Sequence, residues 1–198
     1  MTSVATTERT AVTIIEDRVS TTTLPRSPAP PAALPSPVDP GYGTDRRSPV
    51  ELLRLAQGRA TEALAWHDTL AEPLVDRSYE LVEWNDEYEI WVIHWPAGGH
   101  IELHDHGGSS GAFWVVAGTL EETSVTGRGS LQRHDLSAGG GGAFGPRYVH
   151  DVRNDTAAVA TSVHAYSPPL SSMRFFDNSA GSLTLTRTEY RADPTWAP

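Results

Sequence analysis

The segment His104-Asp105-His106 carries the residue types best suited to chemistry in this chain. On a β-strand, side chains two positions apart face the same side, so both imidazoles can point into one cavity while Asp105 points away from it. Neutral imidazole nitrogen is a good ligand for iron, zinc, copper and nickel. The spacing therefore predicts a metal site that includes His104 and His106, with Asp105 in a structural role. A pair of polar surface histidines is the alternative interpretation.

The composition removes several other kinds of chemistry. The chain has 198 residues and no cysteine, and all 15 of its basic residues are arginine. Disulfides, cysteine-ligated zinc or iron–sulfur sites and thiol nucleophiles are therefore excluded. Schiff-base chemistry on lysine is excluded for the same reason.

Charge and hydropathy bear on partners and location. The formal net charge of -10 argues against nucleic acid and anionic membrane surfaces as partners. No apolar run approaches the ~20 residues needed to span a bilayer. The N-terminus also lacks the basic-then-apolar pattern of a signal peptide. We therefore predict a soluble cytoplasmic protein that does not bind nucleic acid or membranes; the sequence leaves its oligomeric state open.

Short strands must position the histidines, because the hydrophobic period changes to two from about residue 79. Turns rich in Gly and Pro separate these runs. Many short strands at a spacing of ~8–12 residues are typical of a β-sandwich or barrel. The predicted strands are Glu89–Trp95, Ile101–His104, Ala112–Val116, Thr119–Val125, Leu131–His134, Ala143–Phe144, His150–Val152, Val159–Tyr166 and Ser182–Thr188.

A helix signal marks where the folded part begins. Ser48-Pro49-Val50-Glu51 combines a capping residue, a proline at the first helical position and a Glu three residues after the cap. The helical pattern continues into the 60s, and Trp66–Leu74 is predicted as a second short helix or turn. Residues 1–47 are rich in Pro, Thr and Ser and are predicted to be a flexible arm, in which Ala11–Ile15 could add an edge strand. Residues 48–198 are predicted to form a single domain.

The surroundings of His104 resemble the first cupin motif, in which His-x-His is followed by four residues, a Glu, six residues and a Gly. The second cupin motif places a Pro shortly before a His, with an Asn four residues after that His; this chain differs by one residue in the Pro-to-His gap. The matching residues are His104, His106, Gly118, Pro146, His150 and Asn154. The resemblance implies a mainly β, jelly-roll-like cupin barrel with one or two short N-terminal helices, in which His150 is the third metal ligand.

Gly111 stands where the cupin motif has its Glu. Three neutral imidazoles leave the charge of a ferrous ion uncompensated, whereas a carboxylate ligand would offset part of it. Such a site favours an anionic ligand that enters as substrate, and a thiolate is the soft anion that suits it. Gly111 is also expected to clear volume next to the metal.

Three segments resemble the cysteine dioxygenase (thiol dioxygenase) family, whose members are cupins with three histidines on Fe(II). Leu103 to Gly111 looks like the metal-binding strand of that family, and Gly118-Thr119-Leu120-Glu121-Glu122 matches its Gly-x-Leu-x-Glu run. Ser162-Val163-His164-Ala165-Tyr166-Ser167-Pro168-Pro169 resembles its Ser-x-His-x-Tyr-Ser-Pro-Pro. The resemblance covers roughly residues 75–178.

The resemblance implies a hydrogen-bonded relay, with the Tyr166 hydroxyl near the iron and His164 and Ser162 behind it. Period two places these three side chains on one face of a strand. Such a chain can fix the phenol and move a proton. A core strand whose buried polar groups satisfy one another is the alternative interpretation.

Two departures from the family concern the pocket. Some members crosslink a Cys to the Tyr, but this chain has Gly111 at the matching position, as bacterial-type members do. Cysteine-specific members place an Arg two residues after a Tyr to pair with the substrate carboxylate, whereas here the order is reversed as Arg77-Ser78-Tyr79. Arg77 and Tyr79 can still share a face, and Arg174 and Arg147 are further candidates for a bidentate carboxylate partner. Trp95 could also line the pocket.

The resemblance implies an Fe(II)-dependent dioxygenase that adds O₂ to the sulfur of a small thiol, with cysteine as the leading substrate. A different thiol, such as 3-mercaptopropionate or a mercapto-acid, is a second interpretation, motivated by the displaced arginine. A cupin that binds a metal or a small molecule without oxygenating it is the third, because three neutral histidines also suit zinc.

Overall fold

The computed structural model describes residues 12–14, 46–70, 74–126, 129–179, 181–191 and 198. The predicted flexible arm therefore lies outside the described residues except at 12–14 and 46–47, and its flexibility and the domain boundary stay predictions. The described elements are α1 (Pro49–Gly58) and α2 (Ala60–His67), and β1 (Val12–Ile14), β2 (Ser78–Trp84), β3 (Glu89–Trp95), β4 (His100–Asp105), β5 (Ser110–Ala117), β6 (Thr119–Val125), β7 (Leu131–Ser137), β8 (Gly141–Phe144), β9 (His150–Arg153), β10 (Ala160–Ser167), β11 (Ser172–Asp177) and β12 (Thr184–Tyr190).

The first helix begins where the sequence predicts. The backbone N–H of Ser48 donates to the Glu51 carboxylate at 2.8 Å, and the Ser48 hydroxyl accepts from the Glu51 N–H at 3.4 Å, so both halves of the capping box form. The second helix differs from the prediction, because it occupies Ala60–His67 rather than a segment starting at Trp66. Gly58 favours helix poorly and interrupts a pattern that reads as continuous in the sequence.

The strands form two six-stranded sheets. Sheet A has the order β1-β8-β5-β10-β3-β2, and sheet B has the order β12-β11-β4-β9-β6-β7. Pairing is antiparallel apart from β1, which adds a parallel edge strand to β8 and agrees with the strand considered near residues 11–15. The mainly β prediction is confirmed.

Strands β2 and β11 are both absent from the strands that the sequence analysis predicted, and β11 contacts the candidate site. Met173 and Phe175 are buried while Arg174 between them is exposed, so the alternation typical of a half-buried strand is present. This strand pairs with β4 and carries Phe175 opposite His104.

Sheet A is covered on both faces. Its inner face meets sheet B across a core that includes Trp95, Phe113 and Phe144. Its outer face packs against the two helices, where Leu52 and Ala63 are fully buried. As a result all eight residues of β10 are buried, and polar side chains on its inner face must find partners inside the protein.

Candidate metal centre

Three imidazoles converge between the sheets. His104 lies near the end of β4, His106 follows directly after that strand, and His150 begins β9, where it is paired with His104 in the strand register. One ring nitrogen from each residue lies within 4.8 Å of the other two. Their relative exposures are 3%, 1% and 2%, so the cluster is closed off from bulk water. The predicted convergence of these rings from two separate strands is therefore present.

Hydrogen bonds behind two of the rings determine which nitrogen faces the centre. The Nδ1–H of His104 donates to the backbone carbonyl of Glu102 at 2.7 Å. The Nδ1–H of His150 donates to the Glu122 carboxylate, also at 2.7 Å. Each ring that donates through Nδ1 keeps an unprotonated Nε2, which is the form that binds a metal ion.

The third ring supplies the test of whether a metal fits. The Nε2 atom of His106 is buried and has no hydrogen-bond partner among the described residues. A buried polar atom without a partner is costly unless a ligand or ion satisfies it. Burial also lowers the pKa of His104 and His106 well below the usual histidine value, which keeps both rings neutral. A buried site of three imidazoles, two of them held neutral, therefore fits a divalent transition metal.

Glu122 is the functional residue that the sequence analysis overlooked. No carboxylate was expected beside the imidazoles. The buried Glu122 carboxylate nevertheless accepts a hydrogen bond from His150 Nδ1, and it accepts another from the Tyr148 hydroxyl at 3.1 Å. Burial and the nearby carboxylate raise the pKa of Tyr148. A carboxylate behind a metal-binding histidine raises the basicity of that ligand. The signal was available, because Glu122 ends the Gly118–Glu122 run that resembles the family.

Asp105 points away from the cluster, as the strand period predicts. Arg174 donates through Nε to the Asp105 carboxylate at 2.8 Å, and the Gly107 N–H donates to it at 3.1 Å. The guanidinium of Arg174 is thus occupied by a buried carboxylate on the outer side of β4. The structure does not bring Arg174 together with the metal cluster, and it leaves Arg147 exposed.

Gly111 makes room for aromatic rings. A Cβ at this position would lie 2.5 Å from the Phe144 ring and 3.0 Å from the Tyr166 ring, so any side chain would force both to move. Phe144 stacks on His106, with the ring centroids 4.8 Å apart. The volume that Gly111 was expected to clear beside the metal is therefore filled by the rings of Phe144 and Tyr166, which pack against His106.

The predicted chain of polar side chains forms on the inner face of β10. The Ser162 hydroxyl lies 2.8 Å from His164 Nε2, and His164 Nδ1 lies 3.1 Å from the Tyr166 hydroxyl. The Tyr166 ring approaches His106, with centroids 5.0 Å apart, so the chain ends beside the metal cluster. Burial lowers the pKa of His164 to about 3 and raises that of Tyr166, so both groups are uncharged near neutral pH.

A cavity of about 320 Å³ lies at the surface beside β4, and Arg77 and Tyr79 line it; among the described residues, neither the three cluster histidines nor Trp95, which was expected to line the pocket, is part of its lining. The Arg77 guanidinium lies 5.1 Å from the centroid of the Trp95 ring. Its Nη1 atom is buried without a hydrogen-bond partner, and among the described residues Arg77 has no carboxylate partner. Burial lowers the pKa of Arg77. An unpaired, largely buried guanidinium in a cavity is a site for an anion.

The outer rim of the same cavity carries one guanidinium and two carboxylates, all engaged with one another. Arg187 pairs with Glu102 at 2.6 Å and with Glu189 at 2.8 Å. Its guanidinium carbon also lies 3.6 Å from the centroid of Phe175, whose ring packs near His104. Arg77 therefore differs from Arg187 in that its charge is still available to a ligand.

A double-sheeted β-barrel in which three buried histidines can hold one metal ion defines a metal-binding cupin. The sequence of residues 50–179 matches the family model described as cysteine dioxygenase type I. This match spans more than half of the chain, and the protein belongs to the cysteine dioxygenase type I family. The predicted family is confirmed.

Solved structures resemble the chain at the level of the fold. A protein with a double-stranded β-helix domain from Klebsiella pneumoniae is 17% identical over 61% of this chain and 93% of its own, with a TM-score of 0.44. A protein from Thermus thermophilus is 15% identical over 52% of this chain and 94% of its own, with a TM-score of 0.45. A cupin superfamily protein from Desulfitobacterium hafniense is 10% identical over 50% of this chain and 83% of its own, with a TM-score of 0.42.

Within the part of the chain that the structure describes, no helix has the length and apolar character needed to cross a lipid bilayer.

Proposed function

We propose that this protein is an Fe(II)-dependent thiol dioxygenase that converts a small thiol carboxylate to the corresponding sulfinate. The observation that carries the proposal is the buried cluster of three imidazoles, one of which has an Nε2 without a partner among the described residues, in a chain of the cysteine dioxygenase type I family. His104, His106 and His150 would hold the iron. Bound iron supplies the redox chemistry by which a thiol and O₂ react.

The overall reaction balances without a further reductant. A thiol and one O₂ molecule give a sulfinic acid, in which both oxygen atoms end on sulfur. Sulfur loses four electrons and the two oxygen atoms gain them. The protein must therefore bind one anionic substrate, exclude water and control the thiol proton.

Arg77 is the residue we assign to the substrate carboxylate. It lines the cavity, it is largely buried, and no carboxylate of the described residues neutralises it. A carboxylate that enters the cavity would satisfy both the charge and the unpartnered Nη1 atom. Tyr79 lies beside it on the cavity wall with 42% of its surface exposed, so it would contact the outer part of the substrate.

The Ser162–His164–Tyr166 chain is assigned to proton control. The Tyr166 ring packs beside His106, with centroids 5.0 Å apart, and its neutral, buried hydroxyl can donate a hydrogen bond without carrying charge. His164 fixes the phenol oxygen from behind. Such second-layer contacts hold a reacting group in place more precisely than a solvated side chain could.

An oxygen electrode tests the proposal. Full-length protein loaded anaerobically with Fe²⁺ should consume O₂ when given L-cysteine or another small thiol, and mass spectrometry should find two added oxygen atoms. The absence of oxygen uptake across a broad panel of thiols would refute it.

Arg77→Gln should raise KM for carboxylate thiols by roughly 10–100-fold, since a charged hydrogen bond contributes about 1.5–3 kcal/mol. Arg54→Gln, on the exposed face of α1, is the matched control.

The choice of thiol is the second candidate function. The unpaired Arg77 explains binding of a carboxylate, but the residues around it do not require an amino group on the substrate. 3-Mercaptopropionate and related mercapto-acids therefore remain rivals to cysteine, and kcat/KM across the panel separates them. Tightly held zinc without thiol-dependent oxygen uptake would instead support a non-oxygenating metal-binding cupin. The cytoplasmic location stays a prediction from the sequence.

A further inference from the structure

Trp95 contacts both the polar chain on β10 and Arg77. It lies at the end of β3 with 1% of its surface exposed, and its indole N–H donates to the Ser162 hydroxyl oxygen at 2.9 Å. The face of the same ring lies 5.1 Å from the Arg77 guanidinium. The indole nitrogen can only donate a hydrogen bond, so the direction of its bond to Ser162 is not in doubt.

The hydrogen bond from Trp95 determines which acceptor the Ser162 hydroxyl hydrogen can reach. Among the described residues, the Ser162 oxygen has two hydrogen-bond partners, the Trp95 indole nitrogen and His164 Nε2. Because Trp95 donates, the hydroxyl hydrogen can be satisfied only by His164 Nε2. If His164 Nε2 carried a hydrogen instead, the Ser162 hydroxyl hydrogen would be buried without an acceptor, because Ser162 is 0% exposed.

The hydrogen bond from Ser162 to His164 Nε2 in turn fixes the donor and acceptor in the bond between His164 and Tyr166. A neutral imidazole carries one hydrogen, and with Nε2 accepting from Ser162 that hydrogen sits on Nδ1. His164 Nδ1 therefore donates to the Tyr166 oxygen, 3.1 Å away. The hydroxyl hydrogen of Tyr166 is not used in these hydrogen bonds and stays free to be donated to another acceptor.

We infer that Trp95 is a positioning residue whose indole N–H sets the direction of every hydrogen bond from Ser162 to Tyr166. The inference rests on the proposed function only for its kinetic consequence, because the hydrogen-bond direction itself exists without substrate or iron. Trp95 acts through Ser162 and His164, and its ring face supports Arg77 independently of its N–H.

Trp95→Phe separates the two roles, because phenylalanine keeps an aromatic face and loses the N–H. Trp91→Phe is the matched control: Trp91 lies on the same strand, and its buried Nε1 has no hydrogen-bond partner in the part of the chain that the structure describes. The readout is the ¹⁵N NMR spectrum of the histidine rings in the full-length, metal-free protein, with the His164 signals assigned by their loss in His164→Gln.

The spectrum is expected to show His164 of the unmodified protein in a single form, with Nδ1 protonated and Nε2 unprotonated. Trp95→Phe should give a mixture of the two neutral forms, and Trp91→Phe should leave the single form unchanged. A protonated Nε2 in the unmodified protein would overturn the inference, as would an unchanged spectrum in Trp95→Phe. If Trp95→Phe does not fold, Ser162→Ala removes the same constraint and should give the same mixture.

Kinetics give a second, independent readout. In an active enzyme, Trp95→Phe should lower kcat by roughly 3–10-fold, while KM for the carboxylate thiol stays within about twofold. A raised KM with unchanged kcat would instead assign Trp95 to substrate binding and overturn the inference. If no thiol is oxidised by the unmodified protein, the proposed function fails, but the NMR result still decides the hydrogen-bond direction.

Discussion

The metal cluster lies between two walls, one formed by sheet B and the other by sheet A, and these walls direct their hydrogen bonds in opposite ways. On the sheet B wall, His104 and His150 donate outward, to acceptors behind them, so that bare nitrogen faces the centre. On the sheet A wall, the inferred direction runs inward from Trp95 and ends with the Tyr166 hydroxyl hydrogen. One wall therefore presents lone pairs that suit a cation, whereas the other is inferred to present a donor.

The groups behind the two walls also differ in charge. Glu122 is a buried carboxylate behind the metal-binding wall, and it accepts from His150 and Tyr148. Behind the relay stands the neutral indole of Trp95. A buried carboxylate is tolerable where a metal ion offsets its charge, whereas a chain of neutral groups needs only complete hydrogen bonding. Under the proposed function, cation binding belongs to sheet B and proton control to sheet A, so mutations on each wall should have separable effects.

The largest effect is expected from removing a ligand on the sheet B wall. His104→Ala should abolish stoichiometric iron binding, a greater loss than the about 10–100-fold caused by changes behind a ligand. Iron content after anaerobic loading and desalting measures this. His134→Ala, on β7 and outside the cluster, should retain iron. Retention of a full equivalent by His104→Ala would show that this ring is not a ligand.

A change on the sheet A wall should spare the metal. Tyr166→Phe removes the hydroxyl and keeps the ring that packs against His106, so iron content should be unchanged. Because the donor is lost, kcat should fall by about 100-fold, at the lower end of what acid–base groups contribute. Steady-state oxygen uptake together with iron analysis measures both quantities. Loss of iron in parallel with activity would contradict the division between the walls.

A smaller effect is expected from the carboxylate behind His150. Glu122→Gln keeps an acceptor but removes the charge, so metal affinity should fall by roughly 10-fold. Competition with a chelator measures the affinity. Glu121→Gln is the neighbouring control, since that side chain pairs with Arg153 and Arg133 outside the cluster. Equal effects of the two variants would remove Glu122 from any role at the metal.

The smallest effect is expected outside both walls. Arg174→Gln leaves the buried Asp105 carboxylate without its cation and should lower the free energy of unfolding by about 1–2 kcal/mol. Urea denaturation measures this. Arg133→Gln breaks an exposed pair and should change stability by less than about 1 kcal/mol. A large rise in KM for Arg174→Gln with unchanged stability would instead indicate that Arg174 binds the substrate.

Much of the site followed from local patterns. The capping box at Ser48 and the strands around His104 and Tyr166 are properties of residues close together in the chain, and the sequence predicted them. The same-face placement of Ser162, His164 and Tyr166 needs only period two. His150 came from the spacing of a recognised motif, and its pairing with His104 across β4 and β9 brought the two rings together.

Charge compensation was decided by tertiary structure alone. The sequence proposed Arg77 and Arg174 on equal terms. In the folded protein, Arg174 pairs with Asp105, which is 69 positions away, whereas Arg77 Nη1 has no hydrogen-bond partner among the described residues. Glu122 meets His150 across 28 positions, and Trp95 meets Ser162 across 67. Periodicity tells which way a side chain points, but a hydrogen bond or an ion pair depends on which partner the folded chain brings within about 3 Å.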